Sequence, residues 1–161
     1  MKSLLSVFII ICAYIQSQID GIYKGHFGNK IELFPDKTFK YSNRFDLSSS
    51  WTIGKWEEIN DTIYLKPIKV MDTLSVRNSN KKIVKDSLVL SSDEKINRIE
   101  IEEFNTSLII SGGQNRVYPP RKFYLKNEKL YRINFDGKID KRKLRQFSTN
   151  KKYRTFYKKN K

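Results

Sequence analysis

Between residues 20 and 135 apolar and polar side chains alternate with period two, which restricts the chain to antiparallel sheet with one face on a core. Ile31 and Leu33 flank Glu32, and Phe39 and Tyr41 alternate with Thr38, Lys40 and Ser42. Ile63 and Leu65 do the same around Tyr64, and Leu74 and Val76 around Ser75. Leu88 and Leu90 repeat the pattern, as do Ile99 and Ile101 between Arg98, Glu100 and Glu102. No amphipathic helix is expected before residue 138. Trp51 and Ile53 start on one face and Trp56 falls out of step, so a bulge is expected near Gly54-Lys55.

The breaks between these runs carry turn chemistry. Phe34-Pro35-Asp36-Lys37 sets a proline at the first central position of a tight turn. Asn60-Asp61, Asn78-Ser79-Asn80, Ser91-Ser92-Asp93 and Asn105-Thr106 supply side-chain oxygens, Ser111-Gly112-Gly113 permits positive φ, and Asp136-Gly137 is a short-turn dipeptide. Phe123 to Ile133 reads as a hairpin closing at Asn127-Glu128. The expected fold is therefore all-β: an antiparallel meander of eight to ten short strands closed into a barrel, with a two-sheet β-sandwich as the alternative.

The first 17 residues read as a secretory leader: Lys2, then an apolar run of 12 residues from Leu4 to Ile15 broken by Ser6, then Ser17 at the cut. A spanning helix needs about 20 apolar residues, so no transmembrane span is expected once the leader is removed. Cys12 is the only cysteine and lacks the leucine and small residue that precede a lipid-anchored one. Cleavage leaves a chain with no disulfide, which suits a bacterial periplasm or exterior. The expected division is a signal peptide at 1–17, one β-domain at 18–140 and a basic aromatic segment at 141–161.

Charge is uneven. Residues 18–120 carry 15 Lys/Arg against 14 Asp/Glu, whereas residues 121–161 carry 16 against 3. The basic segment contains Lys141, Arg142, Lys143, Arg145, Lys151, Lys152, Arg154, Lys158 and Lys159, the candidate anion-binding residues. Tyr153, Phe156 and Tyr157 stand at helical spacing, so a short basic C-terminal helix or tail is expected, docked on the body or lying at an anionic surface. Lipid headgroups, lipopolysaccharide and acidic polysaccharide are the expected partners. Export disfavours nucleic acid, although basic residues interleaved with rings also fit it.

No catalytic pattern is present. His26 is the only histidine, too few for a zinc site without cysteine, and it reads as a histidine near the turn at Gly28. No GxSxG elbow or phosphate loop occurs. Glu57-Glu58 and Glu102-Glu103 are adjacent, so on strands they face opposite ways. No cofactor or metal is expected. A secreted hydrolase with facing carboxylates in a β-cleft is the enzymatic alternative, and a purely structural module is a third.

Gly21-Ile22-Tyr23, Ile31-Glu32-Leu33, Pro35-Asp36-Lys37-Thr38-Phe39, Gly54-Lys55-Trp56 and Asp61-Thr62-Ile63-Tyr64-Leu65 resemble the opening of lipocalin-like small β-barrel proteins exported by bacteria. The likeness covers about residues 21–66, with Lys37 where such turns usually have glycine. It implies a barrel whose interior or rim holds an apolar or amphipathic molecule. Phe39, Tyr41, Trp51 and Trp56 sit in these strands, where large rings form core; in a barrel they are also the candidates to line an apolar pocket. The expectation is a non-enzymatic envelope protein that binds or scaffolds.

Overall fold

The alternating runs become strands in a computed structural model that describes residues 19–46, 48–109, 112–115, 119–146 and 149–160. Residues 1–17, read as a leader, and Cys12 among them lie outside the described residues. In chain order the first five strands are β1 (Gly21–Gly25), β2 (Asn29–Leu33), β3 (Thr38–Phe45), β4 (Ser48–Ile59) and β5 (Thr62–Ile68). A first insertion holds β6 (Met71–Arg77), β7 (Ile83–Leu90), β8 (Arg98–Glu100) and helix α1 (Ile101–Ile109). Then come β9 (Lys122–Lys126) and β10 (Lys129–Arg132), a second insertion with β11 (Lys143–Arg145) and β12 (Lys152–Arg154), and finally β13 (Tyr157–Lys159).

Eight strands close an antiparallel barrel in the order β1-β13-β10-β9-β5-β4-β3-β2. Every barrel strand therefore pairs with the barrel strand before and after it in the chain, and β13 joins β1 to finish the circle. Closure removes the free edges that a sandwich would leave. The β1–β2 and β3–β4 turns and both insertions leave from one end; the opposite end carries the tight β2–β3, β4–β5 and β9–β10 turns. In the first insertion β7, β6 and β8 form a small sheet with α1 packed on β6 and β8.

Inward positions of the staves meet in one core. Tyr23, Ile31, Leu33, Phe39, Ile63, Phe123, Leu130 and Tyr157 are each at most 2% exposed. The rings of Phe123 and Tyr157 meet edge to face at 5.5 Å. Each such side chain contributes about 1.5–3 kcal/mol by leaving water. The Tyr23 hydroxyl donates to the Ile19 carbonyl at 2.7 Å, and burial first, then Asp20 and Glu128, push its pKa up to about 12.

The turns follow their residues. Asn60-Asp61 and Asn127-Glu128 have positive φ at both positions (50° and 59°, 50° and 57°), the backbone that matches strand twist in a two-residue hairpin. At Phe34–Lys37 the Lys37 N–H donates to the Phe34 carbonyl at 3.1 Å, and Lys37 takes the glycine-favouring φ of 64°. Its ammonium sits 3.9 Å from the centre of the Trp56 ring, a cation–π contact a glycine could not make.

Three expectations are corrected. β4 has no bulge: it runs in unbroken register with both neighbours, Phe39 facing Gly54 and Gly54 facing Pro67. Thr52, Gly54 and Trp56 point inward, while Trp51 and Ile53 lie on the outer wall, half-covered. Nothing local reveals what covers the Trp51 side of the strand; the first insertion does, with the Trp51 N–H donating to the Gly113 carbonyl at 3.0 Å and the Asn115 N–H to the Trp51 carbonyl at 2.7 Å. Second, the alternation at Ile99 stops at Glu100 and α1 follows. Glu102 and Glu103 lie in its first turn, where a helix dipole favours acids, and not on a strand. Third, residues 141–161 form no helix among the described residues. They supply β11, β12 and β13, because the facing edges of β1 and β10 need partners for their backbone groups.

The second insertion is pinned at its base. Asp140, its side chain fully buried, accepts two guanidinium bonds from Arg142 at 2.9 Å each and the Arg142 N–H at 3.0 Å. The Arg142 side-chain bonds, outweighing burial, hold the carboxyl at about 2. Its folded pKa lies below the ordinary value of 3.8, so the stabilisation is complete above about pH 4 and disappears as pH falls toward 2. Asp140→Asn should cost about 1–2 kcal/mol at neutral pH, since Arg142 is largely exposed and screened. Urea unfolding at a series of pH values should show the difference from wild type shrinking between pH 4 and 2.

Candidate anion-binding surface

Strand pairing sets lysines side by side. Lys126 in β9 faces Lys129 in β10; Lys129 faces Lys158 in β13; Lys158 faces Lys24 in β1; and Lys24 faces Lys30 in β2. Their chain neighbours Leu125, Leu130, Tyr157, Tyr23 and Ile31 point into the barrel, so five ammonium groups stand in one line on the outer wall. Adjacent strands are about 4.8 Å apart, so the line is roughly 19 Å long. Among the described residues Lys24, Lys126 and Lys158 make no ion pair. Lys30 pairs with Glu32 at 2.9 Å, and Lys129 lies 5.1 Å from the centre of the Phe156 ring. Rings border the line: Tyr124 faces Tyr131 on the same wall, and Phe156 is 5.7 Å from Tyr131.

At its β2 end the line runs into a groove of about 690 Å³ that includes Lys24, Lys30, Lys40, Arg44, Asn43 and Trp51 among its walls, with no carboxylate lining it. Lys40 bonds to Glu94 of the first insertion, and the Trp51 indole N–H donates to the Ser92 carbonyl at 3.4 Å. Asn43 Oδ1 is buried and has no hydrogen-bond partner among the described residues.

A second cationic patch lies on the β11–β12 hairpin. Lys143 faces Arg154 and Arg145 faces Lys152, all four exposed on one face. Tyr153 on the opposite face stacks on His26 with ring centres 3.3 Å apart, and His26 Nε2 is 3.3 Å from Gln146 Oε1. His26 thus docks the hairpin onto the β1–β2 turn, just beyond Lys24 and Lys30.

The candidate residues of the basic end divide accordingly. Lys143, Arg145, Lys152 and Arg154 form the hairpin patch, and Lys158 joins the line. Lys141 and Lys151 are exposed beside the hairpin strands. Arg142 is engaged by Asp140, and Lys159 turns toward the Tyr23 ring, 6.0 Å from its centre. Lys24, Lys30, Lys126, Lys129 and Arg44 were missed; the four lysines each adjoin an inward-pointing residue (Tyr23, Ile31, Leu125 and Leu130), but only the register gathers them. Of the aromatic candidates, Phe39, Tyr41 and Trp56 point into the packed interior and Trp51 stands outside, so the four do not share one site. The Tyr41 hydroxyl is pushed well above the ordinary tyrosine range, by burial and then by Tyr157.

The interior is apolar and the wall is charged, the reverse of a barrel that spans a membrane. Among the described residues no helix is long and apolar enough to cross one. Comparison with known proteins found no matching family model, no matching curated protein and no matching solved structure. The fold itself defines an eight-stranded antiparallel β-barrel.

Proposed function

We propose that this is an exported, non-enzymatic binding module that holds an acidic polysaccharide of the cell envelope against its outer wall. The observation that carries the reading is the line of five facing lysines. Like charges directly opposite each other weaken a sheet, so a fold that keeps five in a row retains them against stability. Strands of an eight-stranded barrel tilt by about 35–45°, so the line climbs as it goes around and its ends point roughly a right angle apart. A flat lipid surface meets the middle of such a line, whereas a flexible chain can follow all of it. Export rests on the leader-like residues 1–17, and the lipocalin-like likeness of residues 21–66 belongs to the same reading. With Phe39 and Trp56 packed in the core, the ligand is assigned to the wall and not to the interior.

The protein should be retained on a sulfated-polysaccharide matrix at low salt and released steeply as salt rises. The triple variant Lys24→Glu, Lys129→Glu, Lys158→Glu should lose that retention with an unchanged circular dichroism spectrum. Retention equal to wild type would overturn the reading, and stronger binding to anionic vesicles than to polysaccharide would reassign the partner to lipid. A second expectation separates function from stability. Lys158→Gln, at the middle of the line, should bind less tightly yet raise unfolding stability by about 0.5 kcal/mol, because it relieves repulsion from both neighbours. Urea titration would detect the opposite sign.

A further inference from the structure

We infer that the groove at the β2 end of the lysine line is a subsite for a single anionic sugar, its ring against Trp51 and its carboxylate or sulfate on Arg44 and Lys24. The inference rests on the polysaccharide reading and names the part of the chain this site would select. Several independent features converge there. The volume of about 690 Å³ lies in the range of small-molecule sites. Of the four cations that line it, Lys30 is paired with Glu32 and Lys40 with Glu94, which leaves Lys24 and Arg44 to meet negative charge. Arg44 makes no ion pair among the described residues, and its planar fork suits two oxygens of one anionic group.

Trp51 adds what a bare anion site would not need. Its backbone N–H and carbonyl both bond to the first insertion and its indole N–H donates to the Ser92 carbonyl, so the ring is held before any ligand arrives. A fixed flat apolar face beside cations fits a molecule that is part apolar surface and part charge, as a sugar ring bearing an acid group is. Ser42 and Ser49, on the same outward face as Trp51 and Arg44, line the same groove. A lipid headgroup or an inorganic anion meets the cations but leaves the ring face unused.

The test is tryptophan fluorescence of the intact protein titrated with a sulfated uronate-containing disaccharide. The two tryptophans separate cleanly, since Trp56 is buried in the core and Trp51 is not. A saturable change is expected in wild type and its loss in Trp51→Phe. Arg44→Ala should weaken the disaccharide about tenfold, the size of one lost charge-assisted interaction; Arg44→Lys, which keeps the charge, guards against misfolding and should weaken it less. Lys126→Glu and Lys129→Glu lie outside the groove, so they should lower polysaccharide retention while leaving disaccharide affinity within about twofold. Polysaccharide retention with no Trp51 response to disaccharide overturns the subsite and leaves chain binding standing. Failure to bind either overturns both. An equal response to inorganic sulfate, or a stronger one to a mononucleotide, also overturns the sugar assignment.

Discussion

Removal of residues 157–161 is expected to leave no folded barrel. β13 is only three residues long, yet it pairs with β1 on one side and β10 on the other. Its loss uncovers two strand edges and takes out Tyr157, which is 2% exposed and packs edge to face on Phe123. Loss of a large core ring alone costs about 3–5 kcal/mol, and each lost backbone bond about 0.5–1.5 kcal/mol more. Together these rival the whole stability of an ordinary domain, about 5–15 kcal/mol. Near-ultraviolet circular dichroism should flatten, and the exposed edges should drive association. A truncated chain that kept the native aromatic signal would refute the role given to β13. Replacing residues 141–154 with a short Gly/Ser linker should instead leave the barrel intact, because β11 and β12 pair only with each other. The linker variant, and not the truncation, is the clean way to test the hairpin's share of anion binding.

The second large effect is expected at Gly54. A Cβ there would lie 2.2 Å from the Lys66 carbonyl oxygen, 2.7 Å from Phe39 Cε1 and 2.8 Å from the Pro67 Cα. Two of these atoms are backbone of β5, which cannot retreat without losing its register with β4. Gly54→Ala should therefore destabilise by about 3 kcal/mol or more, beyond ordinary overpacking. Adding Phe39→Leu should recover only part of that cost, since it frees the ring contact and leaves the backbone ones. Urea unfolding decides the point: a loss below 1 kcal/mol for Gly54→Ala would mean that β5 moves more freely than its pairing implies.

The barrel was legible because its signals are local. Ile31-Glu32-Leu33 or Phe39-Lys40-Tyr41 each declare a half-buried strand without reference to anything else, and Asn127-Glu128 declares its turn. Helix α1 was illegible for a related reason: Ile99 and Ile101 satisfy alternation, while Ile101, Phe104 and Leu108 satisfy helical spacing in a run of only nine residues. The outer-wall position of Trp51 depends on an insertion more than forty residues away in the chain. The candidate site was the least legible part. Counting charge separated a near-neutral body from a basic end, but the lysine line takes Lys24 and Lys30 from the body and Lys126, Lys129 and Lys158 from the basic end. Lys24 and Lys158 become neighbours only through the pairing of β1 with β13, and no reading of either segment alone can supply it.

That pairing has a consequence for when the molecule comes into being. Tyr23 meets Lys159 across nearly the whole described chain, so the barrel's last seam carries the greatest loop entropy and cannot form until β13 has been synthesised. The small sheet of the first insertion and the β11–β12 hairpin, built from near neighbours, can form earlier, while the barrel itself waits. A nascent chain of this design stays open and threadable for as long as β13 is missing, a property that suits passage through a translocation channel before folding. Kinetically, closure is the commitment step, and variants that weaken the β1–β13 seam should slow folding more than they hasten unfolding.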